Sequence, residues 1–180
     1  MSTDLKIFKT SFDISIYEII TDYDSQILKN YINDLQMPKE ENVHSTFYLE
    51  KNILFNSSLN NFKNFIFSYL HIFCKNVLNK EKFIVTESWF QKYFKNEHHD
   101  IHVHHCKENS YSLIFYVDAT NNSSVTNFYI PGFPYTPEII KSVVAEKNKL
   151  VIFPGYLPHK VPPNKDEQRI IFSANFEVMN

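Results

Sequence analysis

Lys149-Leu-Val-Ile-Phe-Pro-Gly-Tyr-Leu-Pro-His159-Lys-Val161 and, shortly after it, Arg169-Ile-Ile-Phe-Ser-Ala-Asn-Phe-Glu-Val178 decide how this chain folds. The first stretch predicts a buried strand, a tight turn carrying Gly155, and His159 at the head of a return strand. The second alternates cleanly between polar and apolar residues. Successive side chains of a strand point to opposite faces, so Arg169, Ser173 and Asn175 share one face. Ile170, Phe172, Ala174, Phe176 and Val178 share the other. Arg169 follows His159 by ten residues and is the only arginine in a chain otherwise served by lysine. A guanidinium grips a carboxylate through a two-pronged fork that lysine cannot form, so a polar face headed by the lone Arg suits a carboxylate pocket.

Working outward, five of the eight histidines crowd into His98-His99-Asp100-Ile101-His102-Val103-His104-His105. If this run is extended, His98, Asp100, His102, His104 and Cys106 lie on one face, and Ile101 and Val103 on the other. Imidazoles two apart on a strand can chelate one ion, and neutral histidine suits iron, zinc, copper or nickel. A solvated strand edge and a structural zinc site of His102, His104 and Cys106 are the alternatives that the run itself leaves open.

Upstream, apolar residues at Ile27, Leu28, Tyr31, Ile32 and Leu35 predict an amphipathic helix from Ser25. A second helix is expected from a Ser57 or Ser58 cap, burying Leu59, Phe62, Phe65, Ile66, Tyr69, Phe73 and Val77. His71 and Cys74 fall within it and read as a core histidine beside a buried cysteine. Short strands are expected within 5–20. More are expected near 83–94, 100–106, 111–118, 125–130, 149–153 and 169–178. Together these predict a mainly β protein with helices. They give one domain over 1–180, with strands and supporting helices in 1–80 and a sandwich or barrel bearing the site in 81–180.

Composition removes several classes of function. With 43% hydrophobic and 21% charged residues the chain reads as an ordinary globular domain. A net charge of -2 offers no basic field for a nucleic-acid polymer. No apolar run approaches the roughly 20 residues that span a bilayer, and the charges scattered through the first residues do not resemble a secretion signal. Cys74 and Cys106 stand in no metal or redox spacing, so a reduced, cytoplasmic protein is expected. The Ser and His residues form no nucleophile motif, and the scattered carboxylates do not suggest hydrolysis.

Taken in order, five stretches resemble the iron(II)/2-oxoglutarate-dependent oxygenases, and within them a small branch of 2-oxoglutarate–iron(II) oxygenases. The stretches are Glu87-Ser-Trp89, His102-Val-His104, Ser112-Leu-Ile-Phe-Tyr116, Phe153-Pro-Gly-Tyr-Leu-Pro-His159 and Arg169-Ile-Ile-Phe-Ser-Ala-Asn175. They span about half the chain. The resemblance implies a double-stranded β-helix, a cupin-like jelly roll, with two N-terminal helices packed on one sheet. It also implies iron(II) held by His102 and His159, with 2-oxoglutarate and dioxygen as co-substrates. Arg169 would anchor the far carboxylate, helped by a hydroxyl from Ser173 or Tyr116, with Asn175 on the same face. Three protein ligands leave open positions on an octahedral iron for the co-substrates. The expected outcome is hydroxylation, with release of succinate and carbon dioxide.

One departure from the family pattern matters. Where most of the family has His-x-Asp or His-x-Glu, this chain has His102-Val103-His104. Three ligand sets follow: His102, His104 and His159 together; Asp100 as the carboxylate; or His98-His99-Asp100 as the true pair. The spacing from Trp89 to His102 favours the first. The alternatives to the oxygenase are a cupin-like metal-binding protein, a three-histidine dioxygenase needing no keto acid, and a zinc-stabilised module. A small molecule or a protein side chain is the expected substrate, shaped by the loops 37–56 and 121–137, and a homodimer is admissible.

Overall fold

The computed structural model describes residues 14–132 and 138–179. Seven antiparallel strands form the larger sheet, in the order β1 (Tyr17–Ile20), β9 (Lys149–Pro154), β6 (Ser110–Asp118), β11 (Gln168–Met179), β4 (Lys82–Phe94), β3 (Val43–Ser45) and β2 (Lys39–Glu40). Four more form the smaller sheet: β5 (His99–His102), β10 (His159–Val161), β7 (Thr126–Tyr129) and β8 (Ile139–Val143). The part of the expected 5–20 strand region before residue 14 lies outside the described residues, as do 133–137 of the second loop.

Period-two alternation divides the core in two. On β6, Leu113, Phe115 and Val117 point outward to one buried cluster, while Ile114 and Tyr116 point inward to another. β11 does the same: Ile170, Phe172, Ala174, Phe176 and Val178 join the first cluster and Ile171 the second. The first cluster also holds Leu28 and Ile32 of α1 (Gln26–Asp34), with Phe62, Ile66, Leu70 and Phe73 of α2 (Asn60–Asn76). The Phe62 ring meets Phe172 edge-on at 4.9 Å between centroids. The second cluster lies between the sheets and is where the polar residues converge.

Several local expectations are corrected. The return strand does not fold back on β9: β9 belongs to the larger sheet, whereas β10 crosses to the smaller one and pairs with β5 and β7. Asn56, rather than Ser57 or Ser58, supplies the side-chain cap, accepting from the Ser58 amide at 3.1 Å in a 3₁₀ turn ahead of α2. Val77 and Ile27 are exposed and Leu70 is buried, because the stripe of each helix is narrower than its apolar content. His71 is exposed while Cys74 is buried, so they do not share a core face.

Candidate metal centre

The centre is built where the two sheets face each other. β5 and β10 run antiparallel, with His102 opposite His159 and His99 opposite Val161. Four residues on β5 thus face three on β10, which is a bulge. It breaks the alternation assumed for the histidine run. His99, three residues before His102, lands beside it, and their rings stack at 3.9 Å. β5 ends at His102, and the following segment is held by Gly155: the His104 amide donates to the Gly155 carbonyl at 2.8 Å. A Cβ at Gly155 would stand 2.8 Å from the His105 carbonyl oxygen, so only glycine lets the two segments approach this closely.

The result is a group of three histidines, His102, His104 and His159, whose ligand atoms lie within 4.8 Å of one another. Ring centroids are 4.2 Å apart for His102–His159 and 5.0 Å for His104–His159. Two of the rings have fixed tautomers. His102 Nδ1 faces the Asp100 carbonyl at 2.7 Å and His159 Nδ1 faces the Leu157 carbonyl at 3.0 Å. A carbonyl only accepts, so Nδ1 carries the proton and Nε2 presents its lone pair. Burial, then the neighbouring imidazoles, push His104 down to about 3, and hold His159 well below its ordinary range. Burial lowers His102 too, against its bond to Asp100. Neutral imidazoles are what a divalent transition metal needs.

The other sequence candidates sit elsewhere. The Asp100 carboxylate is exposed at the cavity rim, 3.5 Å from Lys160 and 3.9 Å from His98. Cys106 is exposed, its thiol donating to the His104 carbonyl at 3.7 Å. Asn175 forms a polar network at the mouth, donating to Glu87 at 2.8 Å and accepting from Ser112 at 2.8 Å, with His105 3.3 Å from the same carboxylate. Ser173 is buried on the inner wall beside His159.

Arg169 is fully buried on the inward face of β11. Its Nη2 donates to Thr126 Oγ1 at 3.0 Å, but among the described residues Nε and Nη1 have no partner. The guanidinium lies over the rings of Tyr93 and Tyr116, 4.8 and 5.1 Å from their centroids. A buried guanidinium with free donors is costly unless an anion completes it, and a carboxylate offers the matching fork. Tyr116 meets Thr126 Oγ1 at 2.9 Å and so touches Arg169 through its ring and through Thr126. Tyr93, Thr126, Gln91 and His99 escape a reading of the sequence. Tyr93 faces Arg169 only through the β4–β11 register, and His99 enters only through the bulge.

A cavity of about 440 Å³ opens over the histidines, walled by Phe47, Tyr48, Trp89 and Gln91 and rimmed by Glu40 and Glu87. A narrow inner space of about 20 Å³ continues past His159 to Tyr93 and Ser173.

Similar architecture is found among solved structures. A prolyl-4-hydroxylase from Pseudomonas putida superposes with a TM-score of 0.65 at 11% identity, covering 92% of this chain and 93% of that one. The viral collagen prolyl hydroxylase of Paramecium bursaria Chlorella virus-1, in complex with 2-oxoglutarate, gives 0.62 at 14%, covering 91% and 96%. HygX from Streptomyces hygroscopicus, with nickel and 2-oxoglutarate bound, gives 0.61 at 10%, covering 91% and 83%. The chain shares its fold with the 2-oxoglutarate–iron(II) oxygenases. No protein-family model and no curated sequence matches it. On this oxygenase fold the three histidines occupy the space between the sheets, and no helix of the described residues is long and apolar enough to cross a membrane.

Proposed function

We propose that this chain is an iron(II)- and 2-oxoglutarate-dependent dioxygenase that hydroxylates a small molecule or a protein side chain. One observation carries the reading. Arg169, wholly buried, keeps two guanidinium nitrogens unpartnered among the described residues, in the same inter-sheet interior as three neutral histidines.

His102 and His159 would hold the metal through Nε2, with His104 as the third ligand in place of the family's carboxylate. Arg169 would grip the far carboxylate of 2-oxoglutarate, backed by Thr126. The Tyr93 and Tyr116 rings exclude water and strengthen that ion pair. Ser173 and Asn175 are assigned to the co-substrate wall, and Asp100 to the surface. When bound, iron(II) and 2-oxoglutarate supply the oxidation by dioxygen that releases succinate and carbon dioxide. The helices α1 and α2 are read as the layer backing the larger sheet, and two free cysteines fit a cytoplasmic setting.

The inner space admits about one water-sized group, so side chains along it must part to seat a keto acid. Trp89, the only tryptophan, lines both the cavity and the inner space and can report this. The deciding experiment is anaerobic titration of the metal-free protein with iron(II) and then 2-oxoglutarate, followed by the visible charge-transfer band and by Trp89 fluorescence. A band that is lost in Arg169→Ala and in His159→Ala is expected. Tight metal binding without the band would instead assign a cupin-like or keto-acid-independent site.

A further inference from the structure

We infer that His99 is a hydrogen-bond donor to the oxygen ligand seated beside the metal, and not a fourth metal ligand; this rests on the proposed function. Four imidazoles crowd the centre, and the wiring around the fourth differs from that of the others.

The wiring starts at Tyr93. Its hydroxyl donates to Gln91 Oε1 at 3.2 Å, while Arg169 lies over its ring. Burial raises the Tyr93 pKa to about 12, with Arg169 opposing the rise, so the proton stays on the phenol. With its oxygen committed, buried Gln91 presents its amide nitrogen to His99 Nδ1 at 3.5 Å. An amide NH₂ only donates, so Nδ1 must accept. A neutral His99 then carries its proton on Nε2. This is the opposite tautomer to His102 and His159, whose Nδ1 atoms face carbonyls and whose Nε2 lone pairs are free.

Geometry agrees with the tautomer. A metal binds in the plane of an imidazole ring. His99 instead turns its face to the His102 ring, with centroids 3.9 Å apart. The metal-competent group accordingly comprises His102, His104 and His159 without His99. His99 lines both the cavity and the inner space, and among the described residues it has no second hydrogen-bond partner. Its Nε2–H is therefore a spare donor in the chamber where a carboxylate or keto oxygen has to lie. His99 is thus a binding residue for the co-substrate, and Gln91 and Tyr93 position it.

The test separates metal from keto acid. Iron(II) affinity of the metal-free protein and 2-oxoglutarate affinity of the iron-loaded protein are measured anaerobically for wild type, His99→Leu, His99→Gln and Gln91→Leu. His99→Leu is expected to leave iron(II) affinity within about twofold and to weaken 2-oxoglutarate by about tenfold, the loss of one charge-assisted bond. The charge-transfer band should also shift. His99→Gln, which retains a donor, should recover part of the affinity, and Gln91→Leu should weaken 2-oxoglutarate by freeing the tautomer. Retained iron(II) affinity doubles as proof that each variant has folded. A drop in iron(II) affinity in His99→Leu would make His99 a ligand and overturn the inference. So would unchanged 2-oxoglutarate affinity, which would leave the ring as packing for His102. No band in the wild-type protein would sink the proposed function and this inference together.

Discussion

Arg169 donates from Nη2 to Thr126 Oγ1 at 3.0 Å, a bond that ties the last strand of the larger sheet to β7 of the smaller one. The same oxygen meets the Tyr116 hydroxyl, so one threonine serves two buried groups. Thr126→Val should therefore orphan both and cost about 1–3 kcal/mol in urea unfolding. Thr126→Ser should restore most of it. A valine variant as stable as wild type would mean that the guanidinium finds another acceptor.

Acid should weaken the metal-free protein. The ordinary imidazole value is 6.5 and folded His104 sits at about 3, so between these the unfolded chain binds more protons. His99 behaves alike, pushed down to about 3 chiefly by burial. Stability is then full above about pH 6.5 and declines as the pH falls toward 3. Urea midpoints at pH 8, 6 and 5 check this, and a flat profile contradicts it.

Gly155→Ala tests the clamp on the histidine segment. The added methyl would press on the His105 carbonyl and on Ser110 Oγ, 3.1 Å away, and displace the ring of His104. Iron(II) affinity should fall by about tenfold or more, as for other changes in support of a ligand, while the circular dichroism of the sheets persists. Unaltered affinity would show the segment to be held by other contacts.

Thiol reagents should count one cysteine in the native protein. Cys106 is exposed, whereas Cys74 is buried within the cluster beneath α2, which pushes its thiol up to about 11. A single equivalent should react at pH 8, and the second only on unfolding. Two native equivalents would indicate that the helix layer opens.

How much of this was legible follows from which physics each part obeys. The β11 face could be read because a long central strand keeps strict alternation: Arg169, Ser173 and Asn175 do lie opposite Ile170, Phe172 and Ala174. The histidine run could be read only in part. A bulge and an early strand end leave Asp100 and Cys106 exposed and bring His99 in, and neither leaves a mark in the spacing. The crossing of β10 to the second sheet was hidden for a like reason, since the turn at Gly155 looks the same in one sheet as between two. Thr126 and Tyr93 depend on register between strands far apart in sequence, which periodicity does not encode.

The position of β11 governs how the molecule comes into being. It follows every other described strand in the sequence, yet it lies between β6 and β4 and is hydrogen-bonded along both edges. Until residues 168–179 have left the ribosome, the emerging chain holds two half-sheets with raw edges and no Arg169 between them. Every contact that closes the sheet is long-range, which makes closure slow and exposes those edges in the meantime. Arg169 thus reaches its place between the sheets only once residues 168–179 have closed the larger one.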